Sequence, residues 1–241
     1  MKKLIQANTG SGRRRVSQVF ADFCEISAIT LRNAVDRSDQ QAHQAREKRY
    51  LELIGGYTPD ETHRFAELLS LVTVELERRP ADILGDLYMT LGLGNARTGQ
   101  FFTPFSVSTL LAQMTVGDAI AQLDERPFIT LSEPAVGSGG MVIAVADALR
   151  DQGINYQRQL HVTAQDIDIT AVHMAYVQLS LLYIPAVVIH GDTLKVEQLD
   201  TWPTPAHVIE GWAQRLTSHT SDDTSTAKPD VDIDDREEGA A

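Results

Sequence analysis

The chain has 241 residues, 43% of them hydrophobic, and a formal net charge of −12. This length and composition allow one domain with an extension or two small domains, and they exclude a chain that is disordered throughout. Half of the net charge lies between Ser221 and Ala241, so the rest is mildly acidic and composition argues against strong DNA binding by the chain alone.

The first 92 residues predict a flexible arm and then a helical bundle. Residues 1–15 are mostly polar, and the run Arg13-Arg14-Arg15 is either solvated or in contact with a nucleic-acid backbone. Apolar residues then recur at three- and four-residue intervals, which indicates amphipathic helices. The predicted helices run from Ser17 to about Asp36, from about His43 to Ile54, from Thr58 to near Pro80, and from about Asp82 to Met89. Thr58 and Glu61 are spaced as a capping box for the third helix.

After Gly92 the pattern changes to alternating helices and strands. The predicted elements are a helix from Ser106 to about Gln122, a strand at Phe128–Leu131, a helix at Met141–Leu149, a strand at Leu160–Gln165, a helix at Ile169–Leu182 and a strand at Ala186–His190. This order is typical of right-handed parallel βαβ units, so we expect one doubly wound sheet.

The resulting interpretation is an α/β protein in which a helical N-terminal region precedes a partial Rossmann-like domain with a parallel sheet. We expect the flexible arm at residues 1–15, the helical region at 16–92 and the Rossmann-like domain at 93–216. Residues from Lys195 to about Leu216 show no clear element, and the acidic residues 217–241 predict a disordered tail.

Cysteine content and hydropathy narrow the class of protein further. Cys24 is the only cysteine, which excludes an internal disulfide and a cysteine-based zinc site, and its apolar helical surroundings predict a buried thiol. No run of about 18 apolar residues occurs, and the basic start does not lead into a signal core. We therefore expect no metal, no membrane contact and a cytoplasmic protein.

A glycine-rich turn follows the first predicted strand and reads Glu133-Pro134-Ala135-Val136-Gly137-Ser138-Gly139-Gly140. Ligands bound at the carboxyl ends of parallel strands meet backbone at such a turn, and glycine permits the sharp bend and the close approach. An acid before the turn suits a cation better than the pyrophosphate that G-x-G-x-x-G binds. The candidate binding residues here are Glu133, Pro134, Gly137, Ser138 and Gly139. Taken alone, the motif is also compatible with a turn that binds nothing.

Two further acids follow the next two predicted strands. Asp166 is placed to accept hydrogen bonds from ribose hydroxyls, Ile167 to pack on an adenine face, and Asp192 to accept from the adenine amino group. Buried acids at strand ends are costly unless a ligand or the backbone satisfies them. The alternative for Asp166 or Asp168 is that it caps the following helix.

These motifs, in this order, resemble the N6-adenine DNA methyltransferase superfamily, and specifically the modification subunit of type I restriction–modification systems. The matching segments are Thr98-Gly99-Gln100-Phe101-Phe102-Thr103-Pro104, Glu133 to Gly140, Gln165-Asp166-Ile167-Asp168 and Gly191-Asp192-Thr193-Leu194. The resemblance implies a fold that binds S-adenosyl-L-methionine and an enzyme that acts on DNA. It also implies that Gln100, Phe101, Phe102 and Thr103 close over the methionine part of that cofactor.

The family's catalytic motif, Asn or Asp followed by Pro-Pro and an aromatic residue, has no counterpart, because the sequence contains no Pro-Pro pair. The segment from Asp200 to Pro205 has an acid, an aromatic residue and prolines in the wrong order. The chain thus resembles an enzyme truncated before this motif, and we assign no catalytic residue.

Three functions stay open at this point. The first is an adenine-specific DNA methyltransferase that works with a partner, such as a specificity or modification subunit. The second is a catalytically inactive cofactor-binding protein that regulates or competes with a restriction–modification complex. The third is a methyltransferase for another substrate, or a protein that binds another nucleoside.

Overall fold

The structure, a computed structural model, describes residues 1–10, 12–94 and 102–225, the last seven of these in backbone only. Its N-terminal part is helical, as the sequence predicts. The helices there are α1 at Lys2–Ala7, α2 at Val16–Val35, α3 at Gln40–Gly55, α4 at Pro59–Arg78 and α5 at Ile83–Thr90. The predicted capping box is present at the start of α4, where Thr58 and Glu61 each bond the other's backbone N–H.

Helix α1 lies where the sequence predicts a flexible arm, and that prediction was wrong. Ile5 is fully buried, and Asn8 donates from its side chain to the Glu61 carbonyl over 2.9 Å. Arg14 lies 4.0 Å above the Tyr57 ring and pairs with the Glu61 carboxylate at 3.3 Å. The polar composition of the segment conceals these tertiary contacts, which hold it against the bundle.

The rest of the described chain builds a sheet and the helices around it. Its elements are α6 at Phe105–Ala121, β1 at Ile129–Glu133, α7 at Gly140–Asp151, α8 at Tyr156–Gln159, β2 at Leu160–Asp166, α9 at Ile169–Leu181, β3 at Ala186–Asp192, β4 at Glu197–Pro203, α10 at Pro205–Ile209 and α11 at Trp212–Ser225. The strand order is β1-β2-β3-β4. The first three strands are parallel and β4 runs antiparallel to β3. The predicted α/β class with a parallel sheet is confirmed.

Strand β4 was not predicted because its sequence lacks the pattern of a buried strand. The first five of its residues are exposed, and only Trp202 is buried. It is an edge strand, for which charged residues such as Glu197 and Asp200 are typical.

The sheet is covered unevenly, and this differs from the predicted doubly wound arrangement. Each crossover steps to the next strand, so right-handed connections place α7 and α9 on the same face. The opposite face has exposed side chains near β1 and β2, and these are Thr130, Ser132 and Thr163. Helix α11 covers this face near the start of β2, where the Trp212 ring lies against His161 with ring centroids 5.2 Å apart.

The N-terminal helices and the sheet share one hydrophobic core, which runs from Ile5 to Trp202. Helix α2 packs against α9, and the Arg32 guanidinium lies 4.8 Å from the centre of the Trp202 ring on β4. Cys24 is buried in this core, as expected. The boundary that the sequence pattern suggests at residue 92 therefore does not separate two cores.

Helix α11 extends beyond the point at which the tail was expected to begin. It continues to Ser225, whereas the sequence predicts disorder from residue 217. Residues 226–241, which hold most of the acidic stretch, lie outside the described residues.

Candidate functional site

Three acids end the three parallel strands at the same edge of the sheet. In the register of the sheet, Glu133 lies beside Ala164, two residues before Asp166. Asp166 in turn lies beside His190, two residues before Asp192. At about 3.3 Å per residue, the three acids therefore lie on a diagonal across the edge rather than in a single row.

The glycine turn crosses from β1 over the end of β2. Gly137 and Gly139 have φ values of +56° and +98°, a backbone region that other residues rarely adopt. The Val136 N–H donates to the Gln165 carbonyl over 2.8 Å, and Gly139 is the N-cap of α7. The turn therefore presents its backbone and the start of a helix to the space beyond the carboxyl ends of the strands.

Asp166 holds this turn in place. Its Oδ2 accepts a hydrogen bond from the Gly137 N–H and its Oδ1 accepts from the Asp168 N–H, both over 2.9 Å. A carboxylate offers about four acceptor positions, so both oxygens keep capacity for ligand hydroxyls. The alternative role predicted from sequence, capping of the next helix, belongs to Asp168, whose side chain accepts from the Thr170 N–H.

Ile167 and Asp192 lie further along the same edge. Ile167 is 64% exposed, an apolar surface on which a flat ring can pack. Asp192 accepts from the Leu194 and Lys195 N–H groups, and its bond to the Lys195 ammonium at 3.0 Å lowers the pKa of the carboxyl. The neighbouring Thr193 hydroxyl donates to the Pro134 carbonyl over 2.7 Å, which ties this edge to the glycine turn.

A cleft of about 290 Å³ opens beside the turn. Its lining residues are Asp82, Phe102, Thr103, Ser108, Glu133, Ala135, Val136, Gly137, Ser138, Gly140 and Met141. Phe102 packs so closely on Gly137 that a Cβ there would lie 2.8 Å from the ring. The Phe102 ring also packs against Tyr88 of α5, with centroids 5.1 Å apart.

The predicted site residues thus fall into three groups. Five line the cleft, and these are Phe102, Thr103, Glu133, Gly137 and Ser138. Five lie at the sheet edge or in the turn beside it, and these are Pro134, Gly139, Asp166, Ile167 and Asp192. Gln100 and Phe101 lie outside the described residues.

Sequence reasoning missed six lining residues. Ala135, Val136 and Gly140 belong to the glycine turn itself, whereas Asp82, Ser108 and Met141 lie outside it. From the sequence, Asp82 is only the start of a predicted helix in the helical bundle. It is the N-cap of α5, and the structure places it against the glycine turn. The spacing Asp82-x-x-Gly85 was the available signal, because it combines a cap with a residue that permits close approach.

The chemistry of the lining suits a cationic ligand. Two carboxylates, from Asp82 and Glu133, line the cleft, and its lining includes no lysine, arginine or histidine among the described residues. Phosphate groups are poorly accommodated by such a lining. The partly exposed Glu133 carboxylate suits a sulfonium or ammonium group, whereas the Asp82 carboxylate is buried and bonded within the protein. Within the described residues no group of three potential metal ligands comes together, and no helix is long and apolar enough to cross a membrane.

The parallel sheet with its crossover helices defines a Rossmann-like protein. The acids at the carboxyl ends of its strands define the candidate ligand site. The chain belongs to the N-6 DNA methylase family, whose model matches residues 79–214. The resemblance to DNA methyltransferases is thereby confirmed at the level of the family, and S-adenosylmethionine is the cofactor. The likeness to a type I modification subunit stays a prediction. Asp166, Ile167 and the glycine turn would hold its nucleoside, and the acidic cleft its methionine end. When bound, this cofactor supplies an electrophilic methyl group.

One solved structure similar to the chain is a candidate class I S-adenosylmethionine-dependent methyltransferase from Listeria monocytogenes. The two are 13% identical with a TM-score of 0.46, over 80% of this chain and 52% of that one. The chain therefore spans about half the length of that protein. None of the curated proteins matches the chain.

Proposed function

We propose that the chain is the cofactor-binding part of an adenine-specific DNA methylase that acts with a partner polypeptide. The observation that carries this proposal is the diagonal of Glu133, Asp166 and Asp192 beside the glycine turn, in a chain of the N-6 DNA methylase family. Methyl transfer depends on aligning the donor with its nucleophile. The residues that would align an adenine amino group have no counterpart among the 241 residues, and in this proposal a partner polypeptide supplies them.

The surface beside the cleft supports a partner that extends the sheet. β1 is the terminal strand of the sheet that the described residues form, so its outer edge carries unpaired backbone groups. Helix α6 packs on α7 and exposes one apolar stripe, formed by Val107, Leu110, Leu111 and Met114. A partner that adds a strand to β1 and covers α6 would bring its own residues next to the cofactor.

The experiment is a single-turnover assay with methyl-labelled S-adenosylmethionine and duplex DNA. The chain is tested alone and with the modification and specificity subunits of a type I complex, and digested DNA is analysed for the labelled base. We expect N6-methyladenine only when a partner is present, and at least tenfold less of it when Asp166→Ala replaces the wild type at a cofactor concentration below saturation. Labelled cytosine would overturn the adenine specificity, and the absence of label under every condition would overturn the enzymatic role.

A further inference from the structure

Asp82 joins helix α5 to the glycine turn through a buried carboxylate. It is 3% exposed. Its Oδ1 accepts hydrogen bonds from the Gly85 N–H and from the Gln178 side chain, both over 2.9 Å. Its Oδ2 accepts from the Ser138 hydroxyl in a short hydrogen bond. The carboxylate is therefore satisfied on both sides, which explains how an acid is tolerated in this position.

Gln178 of α9 joins this hydrogen-bond network by contacting both Asp82 and Ser138. It is fully buried, and its Nε2 donates both to Asp82 and, over 2.8 Å, to the Ser138 carbonyl. Its Oε1 accepts from the Leu84 N–H over 3.0 Å. Ser138 is thus held at its side chain by Asp82 and at its carbonyl by Gln178, so both ends of the residue are fixed.

Close packing around the network leaves no room for a side chain at Gly85 and little at Gly140. A Cβ on Gly85 would overlap the Asp82 carboxylate and lie 2.6 Å from the Ser138 hydroxyl oxygen. A Cβ on Gly140 would lie 3.0 Å from Asp82 Oδ2. Two glycines therefore permit α5 and the turn to approach each other, and the side chains that meet between them are polar.

We propose that Asp82 is a positioning residue for the cofactor: through Ser138 it holds the turn in the conformation that accepts S-adenosylmethionine. This inference rests on the proposed placement of the cofactor at the turn and the cleft beside it. A turn that is already ordered loses less conformational entropy on binding. Cofactor affinity therefore depends on the hydrogen bonds that hold Ser138 as well as on direct contacts with the ligand. Asp82 also links the N-terminal helices, through α5, to the turn at which the cofactor is proposed to bind.

Two substitutions of Asp82 distinguish the effect of its hydrogen bonds on the turn from the effect of its negative charge on the ligand. In Asp82→Asn, the amide oxygen can accept from Gly85 and Gln178 while the NH₂ group donates to Ser138, because a hydroxyl both donates and accepts. Asp82→Ala removes the three hydrogen bonds that the carboxylate accepts, from Gly85, Gln178 and Ser138. If Asp82 acts by position, calorimetric titration with S-adenosylmethionine shows Asp82→Asn retaining most of the affinity and Asp82→Ala losing roughly tenfold or more. Equal losses in the two variants would overturn the positioning role in favour of charge.

A double-mutant cycle tests whether Asp82 acts through Ser138. We expect Ser138→Ala to weaken cofactor binding roughly tenfold, and Asp82→Ala to add little in that background. The exposed Asp86, one turn further along α5, provides the matched control, and Asp86→Asn should bind as the wild type does. Melting temperatures and far-ultraviolet circular dichroism of each variant show whether the fold is retained.

The outcomes separate this proposal from the site on which it rests. Additive losses in the cycle, or wild-type affinity in Ser138→Ala, overturn the positioning role while leaving the cofactor site intact. If Asp82→Ala does not fold, Ser138→Ala and Asp82→Asn still decide the question, because each changes few atoms. A wild-type protein without saturable S-adenosylmethionine binding would overturn the site and the positioning role together.

Discussion

Asp166 shows how one residue links the fold to the ligand site. Its two oxygens already accept backbone hydrogen bonds from Gly137 and Asp168, so it organises the turn before any ligand arrives. In a βαβ nucleoside site, an acid at the end of the second strand accepts hydrogen bonds from the ribose hydroxyls, which is the role proposed for Asp166. Under the proposed function, Asp166→Ala therefore removes both the hydrogen bond that holds the turn and a contact with the cofactor.

For Asp166→Ala we expect S-adenosylmethionine affinity to fall about ten- to hundredfold, equivalent to about 1–3 kcal/mol. Isothermal titration calorimetry measures the change directly. Asp118→Ala, which removes an exposed acid from α6, is the matched control and should leave the affinity unchanged. An Asp166→Ala protein that binds within twofold of the wild type would show that the acid does not contact the cofactor.

At the scale of the element, the connection between β1 and α7 depends on backbone conformation more than on side-chain chemistry. Gly137 combines a positive φ with the packed Phe102 ring, so a methyl group is disfavoured by strain and by contact. Gly117 in the middle of α6 has no atom within 4 Å of the position of a Cβ. The two glycines therefore respond oppositely to the same substitution.

We expect Gly137→Ala to weaken cofactor binding and to lower the free energy of unfolding by about 1–3 kcal/mol. Gly117→Ala should instead raise the free energy of unfolding by about 0.5–1 kcal/mol, because alanine favours the helix. Urea denaturation followed by circular dichroism measures both. A neutral or stabilising Gly137→Ala would mean that the turn adopts a different conformation from the one described.

How far the sequence predicts these elements depends on whether local pattern or tertiary contact decides them. The glycine turn and the acids at the strand ends were predictable, since each follows a short apolar strand in a fixed order. Helix α1 and strand β4 were not, because Ile5 and Trp202 are buried by residues distant in the chain. Asp82 was recognisable as a cap, but its partners Ser138 and Gln178 lie 56 and 96 residues away. No local pattern indicates such partners.

At the scale of the whole molecule, the single core couples stability to pH through buried histidines. His161 on β2 is 3% exposed, lies against Trp212 and shares a 2.9 Å hydrogen bond with His207. Burial, together with the nearby His207 and Arg215, lowers the pKa of His161 to about 4. His173 on α9 is buried against Trp202, and burial lowers its pKa to about 4 as well.

These shifts determine the direction of the pH effect. The folded protein favours the neutral rings, whereas in the unfolded chain a histidine titrates near pH 6.5. The contribution to stability is therefore fully present above about pH 6.5 and is lost as the pH falls towards 4. Each histidine contributes up to about 1.4 kcal/mol per pH unit across that range.

We expect the free energy of unfolding to fall between pH 7.5 and pH 5, and to fall by roughly 2 kcal/mol less in His161→Gln. Glutamine keeps a donor for His207 and does not titrate, so the difference reports the His161 ring together with its electrostatic coupling to His207. His63→Gln makes the same change at an exposed position and should follow the wild-type pH dependence. Urea titrations at both pH values give the comparison. If His161→Gln and the wild type lose equal stability, the ring is not held neutral in the fold and the packing of α11 on the sheet is looser than the contacts of Trp212 imply.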